Sequence, residues 1–141
     1  VSVFTKPVPK PERQTPQKEW QDKAIAVACK IVLLDARCAK CNRPDSPSMA
    51  LHPHHIVHRK YGNTCTLKEN LIPLCVGCHA EAHSNENAFK AWIEKRSPGL
   101  YDRLWQLARA ICMLDFEDVY EQLLIEYKEK LEEKAKRDGL H

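Results

Sequence analysis

The sequence predicts a mostly helical α+β chain. Two short strands and a helix are expected to be tied together by four cysteines, with one helix before this core and further helices after it. Three observations carry the expectation. Two Cys-x-x-Cys pairs, Cys38 with Cys41 and Cys75 with Cys78, bracket the middle of the 141-residue chain. That middle, residues 38–83, is cut by Pro44, Pro47, Pro53 and Gly62 into short apolar stretches and holds six of the seven histidines. On both sides of it, apolar residues recur at steps of three and four, the period of a helix buried on one face.

Residues 1–18 come first, with Pro7, Pro9, Pro11 and Pro16 set among Lys6, Lys10, Arg13 and Lys18. Proline at this density blocks helix, so a basic extended arm is expected, either a linker or a strap for a phosphate backbone. From about Gln17 to Arg37, Trp20, Ala24, Val27, Ile31 and Leu34 share one helical face, and Cys29 reads as a small buried hydrophobe. Leu51 to Val57 and Asn70 to Leu74 are the strand candidates, and helix returns around Cys78 to His83. Phe89, Trp92 and Ile93 lie at helical spacing before Ser97-Pro98-Gly99 interrupts it. Tyr101, Leu104, Trp105, Ala108 and Ile111/Cys112 mark the next helix. The last runs from about Asp115 to Arg137, turning Phe116, Val119, Leu123 and Tyr127 inward. Its charged end, Lys128 to Lys134, reads as a solvated face with opposite charges one turn apart, or as a short coiled-coil contact that could join two copies of the chain. The layout divides into an arm (1–18), a central unit (19–96) and a helical extension (97–141).

The formal net charge of +3 conceals a gradient. Residues 1–44 hold nine Lys/Arg against four Asp/Glu, whereas residues 117–141 hold five against eight. A basic front suits phosphates. No apolar run reaches the roughly 20 residues a bilayer span needs, so no membrane partner is expected. Seven cysteines is an odd count, which argues against a disulfide scaffold and for reduced thiols in a cytoplasmic setting.

A two-residue spacer lets both sulfurs of a turn face one ion, and two such turns can surround a zinc tetrahedrally. Cys38, Cys41, Cys75 and Cys78 are therefore expected to hold a structural Zn2+ that closes the loop between them; Cys65 and Cys112 are spare. A redox role is disfavoured, because redox Cys-x-x-Cys motifs come singly. The histidines need a separate explanation. His79 and His83, four apart, share a helical face, while His54 and His55, adjacent on a strand, point to opposite sides. His54, His79 and His83 are thus expected around a second divalent ion with an open position, and His55 projects elsewhere as a base.

In chain order, Cys38-x-x-Cys41, His54-His55-Ile56 and Asn70-Leu71-Ile72-Pro73-Leu74-Cys75-x-x-Cys78-His79-x-x-x-His83 resemble the HNH endonuclease signature in its zinc-knuckle form. The resemblance implies a ββα-metal fold and metal-dependent hydrolysis of DNA, double-stranded or branched. It implies that His55 is the general base, that Asn70 braces the loop that aims it, and that His54, His79 and His83 hold the catalytic ion, one of Mg2+, Mn2+, Ni2+ or Zn2+. The segment after His55, Ile56 to Gly62, lacks the proline and paired glycines of many members. His58 there is either a surface residue or a phosphate contact, Arg59 and Lys60 are candidates to hold the scissile strand, and His52 has no assigned role. The flanks are similar, more loosely, to phage recombination proteins of the NinG/Rap group, which implies branched DNA in a bacterial or phage-infected cell. Trp20, Trp92 and Trp105 read as core packing rather than base stacking. The competing readings are a zinc-stabilised nucleic-acid-binding module that does not cut and an interaction protein docking through its acidic helix.

Overall fold

The structure, a computed structural model, describes residues 16–139, so the expected basic arm lies outside the described residues as far as residue 15. Helix α1 (Pro16–Leu33) opens within the stretch expected to be extended. Proline is compatible with a first turn, where the backbone N–H it lacks needs no partner. The helix stops at Leu33 rather than near Arg37, and Asp35 takes a left-handed φ of 57°. Asn42 (φ 63°) does the same after the first cysteine pair; Asp and Asn tolerate this region better than other side-chain-bearing residues.

Strand β1 (His52–His55) pairs antiparallel with β2 (Leu71–Leu74), setting His54 opposite Ile72 and His55 opposite Leu71. Between them run an irregular loop and a short 3₁₀ turn, Lys68–Asn70. Helix α2 (Val76–Ser84) follows β2 directly, with Cys75 as its N-cap, and completes a ββα unit. Helices α3 (Glu86–Arg96), α4 (Leu100–Arg109) and α5 (Phe116–Arg137) come after. The side chains of Asn85 and Asp115 cap α3 and α5 by accepting from the backbone N–H of Ala88 and Glu117, worth about 1 kcal/mol each. The result is a mostly helical α+β fold: a two-strand hairpin plus helix, a four-cysteine cluster, and helices on both flanks.

The expected continuation of α4 to Ile111 and Cys112 is corrected. The helix ends at Arg109, and Ile111 is 88% exposed. The cause is tertiary: the Asn63 side-chain amide donates to the carbonyls of Leu107 and Ala110, both at 2.9 Å, and so satisfies the open end of the helix. The loop passes close to the chain after α4, because a Cβ on Gly62 would stand 2.7 Å from the Cys112 sulfur.

Three apolar clusters hold these parts together. Leu51, Ile72, Leu74, Ala82, Phe89 and Ile93, with Cys38 and Cys75, join the hairpin to α2 and α3, and Trp92 packs against them. Ile25, Cys65 and Phe116, flanked by Trp20 and Cys29, join α1 to the loop and α5. Val57, Leu104 and Ala108, flanked by Tyr61 and Trp105, seat α4 on the loop. All three tryptophans therefore pack against core, as expected. Helices α1 and α5 run side by side in the same direction: the Phe116 N–H donates to Gln17 at one end, and Lys134 and Arg137 pair with Asp35 at the other. The charged end of α5 is thus tied to its own chain, beyond any pairs along the helix. No described helix is long and apolar enough to cross a membrane.

Candidate functional site

Two ligand clusters sit on the ββα unit. The first brings together Cys38 and Cys41, on the turn that follows α1, with Cys75 and Cys78 at the start of α2. All four sulfurs lie within 4.8 Å of one another, and those of Cys41 and Cys75 are 3.7 Å apart. Thiolates about 2.3 Å from zinc at tetrahedral angles stand roughly 3.8 Å apart, so the spacing suits a structural zinc. Burial, which alone raises a thiol, is outweighed at Cys38 by the N–H groups of Cys41, Cys75 and Lys40, which bring it down to about 6. Burial and then the sulfurs of Cys75 and Cys38 push Cys78 up to about 12. Four thiols this close cannot all ionise without a cation among them. Cys29, Cys65 and Cys112 stand outside the cluster as free thiols, and burial raises the first two.

The second cluster comprises His54 from β1 and His79 and His83 from one face of α2, with ligand nitrogens within 4.8 Å of one another. His79 Nε2 and His83 Nε2 are 3.0 Å apart. Adjacent nitrogens about 2.1 Å from one ion stand roughly 3.0–3.4 Å apart, so the donor set fits a divalent cation. His54 is only 9% exposed and lies edge-on to Phe89 with ring centroids 4.9 Å apart. Burial, then the neighbouring His79, His83 and His55, bring it down to about 4. Burial, then the neighbouring His83 and His52, lower His79. Both rings are thereby held neutral, the form that ligates.

His55 lies on the same strand, and its Nε2 stands 3.0 Å from the Cys65 carbonyl oxygen. A carbonyl can only accept, so Nε2 carries the proton and Nδ1 keeps a lone pair. Burial lowers the pKa of His55 against the opposing pull of that carbonyl, with Arg59 and His58 adding in the same direction as burial. The loop that offers the carbonyl is fixed by Asn70, which is fully buried. Its side-chain oxygen accepts from the Val57 N–H at 2.8 Å, and its amide donates to the carbonyls of Val57 and Thr64 at 3.0 Å each. Asn70→Ala would strand all three partners, each worth about 1–3 kcal/mol when left unpaired. A loss of at least about 2 kcal/mol in urea unfolding is expected, and a smaller loss would contradict the bracing role.

Arg59 and Lys60 are not gathered around these rings. Arg59 points to Asp22 of α1 at 3.6 Å, and the Lys60 ammonium lies 5.2 Å from the Tyr61 ring centroid. His58 is exposed and its Nδ1 accepts from the Lys60 N–H. One residue escaped the sequence reading. His52 Nδ1 lies 3.2 Å from His79 Nδ1, on the side of that ring away from His83. The signal was available: His52 and His54, two apart on a strand, share the face that looks toward α2.

Comparison with known proteins matches this region. The family model for HNH endonuclease covers residues 38–85, from the first zinc-knuckle cysteine to just past His83. These residues form an HNH endonuclease domain. Comparisons with curated proteins and with solved structures found no match.

Proposed function

We propose that the HNH endonuclease domain at residues 38–85 makes this chain a metal-dependent endonuclease that hydrolyses phosphodiester bonds in double-stranded or branched DNA. The observation that carries the reading is the convergence of His54, His79 and His83 beside a fourth imidazole, His55, which has a free lone pair. Branched DNA enters only through the likeness of the flanks, which rests on spaced apolar positions.

His54, His79 and His83 would hold the divalent ion, whose chemistry is to offset negative charge on the phosphate and the departing 3′ oxygen. Three imidazoles without a carboxylate favour a nitrogen-liking ion such as Zn2+ or Ni2+ over Mg2+. His55 takes a proton from the attacking water at Nδ1, while the Cys65 carbonyl fixes its tautomer and ring plane. Depressed basicity keeps His55 unprotonated at neutral pH. Asn70 acts through the loop that it pins, so it is a positioning residue. Arg59 and Lys60 remain candidates for holding the backbone away from the reacting atoms, as exposed cations on the loop that follows β1. The central unit carries the nuclease, with the arm before it as a linker or a backbone strap and the helical extension packed beside it.

His52 has a definite place in this scheme. With His79 ligating through Nε2, its Nδ1–H donates to His52 Nδ1 and locks the ligating tautomer. His52→Ala is expected to weaken cobalt binding at the histidine site about 10- to 100-fold with zinc content unchanged. His52→Asn, whose amide oxygen can accept the same bond, is expected to recover most of it. Unaltered cobalt affinity in His52→Ala would remove the role. The overall reading is tested by incubating the zinc-loaded chain with supercoiled and branched DNA, with and without added Mn2+, Ni2+ or Mg2+. Nicking that depends on the added ion is expected, and inertness on every DNA would refute it.

A further inference from the structure

A groove of about 410 Å³ opens beside the histidine site. Its lining includes one group of residues from the ββα unit, His54, His55 and His83, and a second group, Lys90, Tyr101 and Trp105. The second group belongs to α3 and α4, beyond the span matched by the nuclease family. It is firmly set. Asn63 ties down the end of α4, Arg103 pairs with Glu69 at 2.6 Å, and Tyr61 meets Trp105 edge-on with centroids 5.3 Å apart. Lys90 Nζ stands 4.5 Å from the Tyr101 ring centroid, so a cation and an aromatic ring are presented together. Glu86 and Asn87 also border the groove, adding an acceptor and an amide.

Resting on the nuclease reading, we propose that this groove is a nucleotide pocket that takes one unpaired nucleotide adjoining the scissile phosphate. Its base lies against Tyr101 and Trp105, and its outer phosphate lies toward Lys90. The argument is one of shape and chemistry. A double helix, about 20 Å across, cannot enter a space of this size, whereas a single nucleotide can. In a duplex both faces of a base are covered by its neighbours, so only a base outside the stack can use an aromatic wall. Aromatic side chains hold bases of any sequence, and a lysine beside them meets the backbone as a point charge. Continuity with His54, His55 and His83 places that nucleotide next to the bond to be cut. The preferred DNA would then carry a gap, flap or bulge at the cleavage point.

Two measurements decide this. On the zinc-loaded His55→Ala chain, a labelled oligothymidylate and a labelled hairpin duplex are titrated by fluorescence anisotropy. Tyr101→Ala and Trp105→Leu are expected to weaken single-strand binding about tenfold or more, with duplex affinity unchanged and Tyr101→Phe close to the parent. Equal losses on both DNAs, or no loss on either, would overturn the pocket. Trp105 supports packing, so if Trp105→Leu unfolds, Tyr101→Ala decides the outcome. The second measurement is cutting by the unmutated chain of matched substrates with and without an unpaired nucleotide. Faster cutting of the unpaired form, through a lower KM that Tyr101→Ala raises, is expected. Equal cutting with an unchanged KM would refute the pocket while leaving the nuclease intact. Selective single-strand binding with no cutting of any DNA would refute the nuclease and keep the pocket.

Discussion

His55→Ala is expected to lower DNA cutting by about 10²- to 10⁴-fold, the usual contribution of a positioned base. DNA affinity and zinc content should change little. Among the described residues, the ring hydrogen-bonds the Cys65 carbonyl and takes no part in either ligand cluster. Its loss therefore removes proton transfer without disturbing the scaffold. Plasmid nicking with Mn2+, read beside metal content by atomic absorption, measures both effects, and added imidazole should restore part of the rate. Cutting that persists at the parent rate would eliminate His55 as base. A parent chain that binds DNA yet never cuts it would favour the non-catalytic binding module.

Removing the zinc should have the largest effect on stability. Structural zinc in small folds is worth on the order of 10–16 kcal/mol of apparent binding free energy, comparable to the whole stability of a small domain. Here two of the four clustered cysteines, Cys38 and Cys75, are also members of the apolar cluster that joins the hairpin to α2 and α3. Chelation, or Cys75→Ser, is expected to melt residues 38–85 and abolish cobalt binding at the histidines. Far-UV circular dichroism and hydrogen exchange would follow the loss. A chelated chain that kept its exchange protection through β2 and α2 would show that the sulfurs do not hold a metal.

Much of this was legible in the residues because its causes are local. Two-residue spacing announces the paired cysteine turns, a four-residue step places His79 and His83 on one face, and apolar periods reveal the helices. The failures lie where distant parts of the chain decide. The end of α4 is set by Asn63, dozens of positions away in sequence, so apolar spacing carried the expected helix on into Ile111 and Cys112. Arg37 was drawn into α1 because nothing in the periodicity marks the reversal at Asp35. His52 was passed over because its partner arrives from another element. This part of the groove is hidden for the same reason: Tyr101 and Trp105 carry the spacing of packed residues, which they also are, and only tertiary structure brings them to the same groove as the histidines.

Helix α2 spans nine residues and bears members of both candidate ligand clusters, with Cys78 and His79 next to each other. Whatever fixes the position of this single rod is felt at both ends, so with both clusters metal-loaded the two affinities would be linked by the same factor in each direction. Oxidising the knuckle sulfurs would loosen the lever that carries two of the three imidazoles. The chain would then lose its grip on the second ion without any chemical change at a histidine.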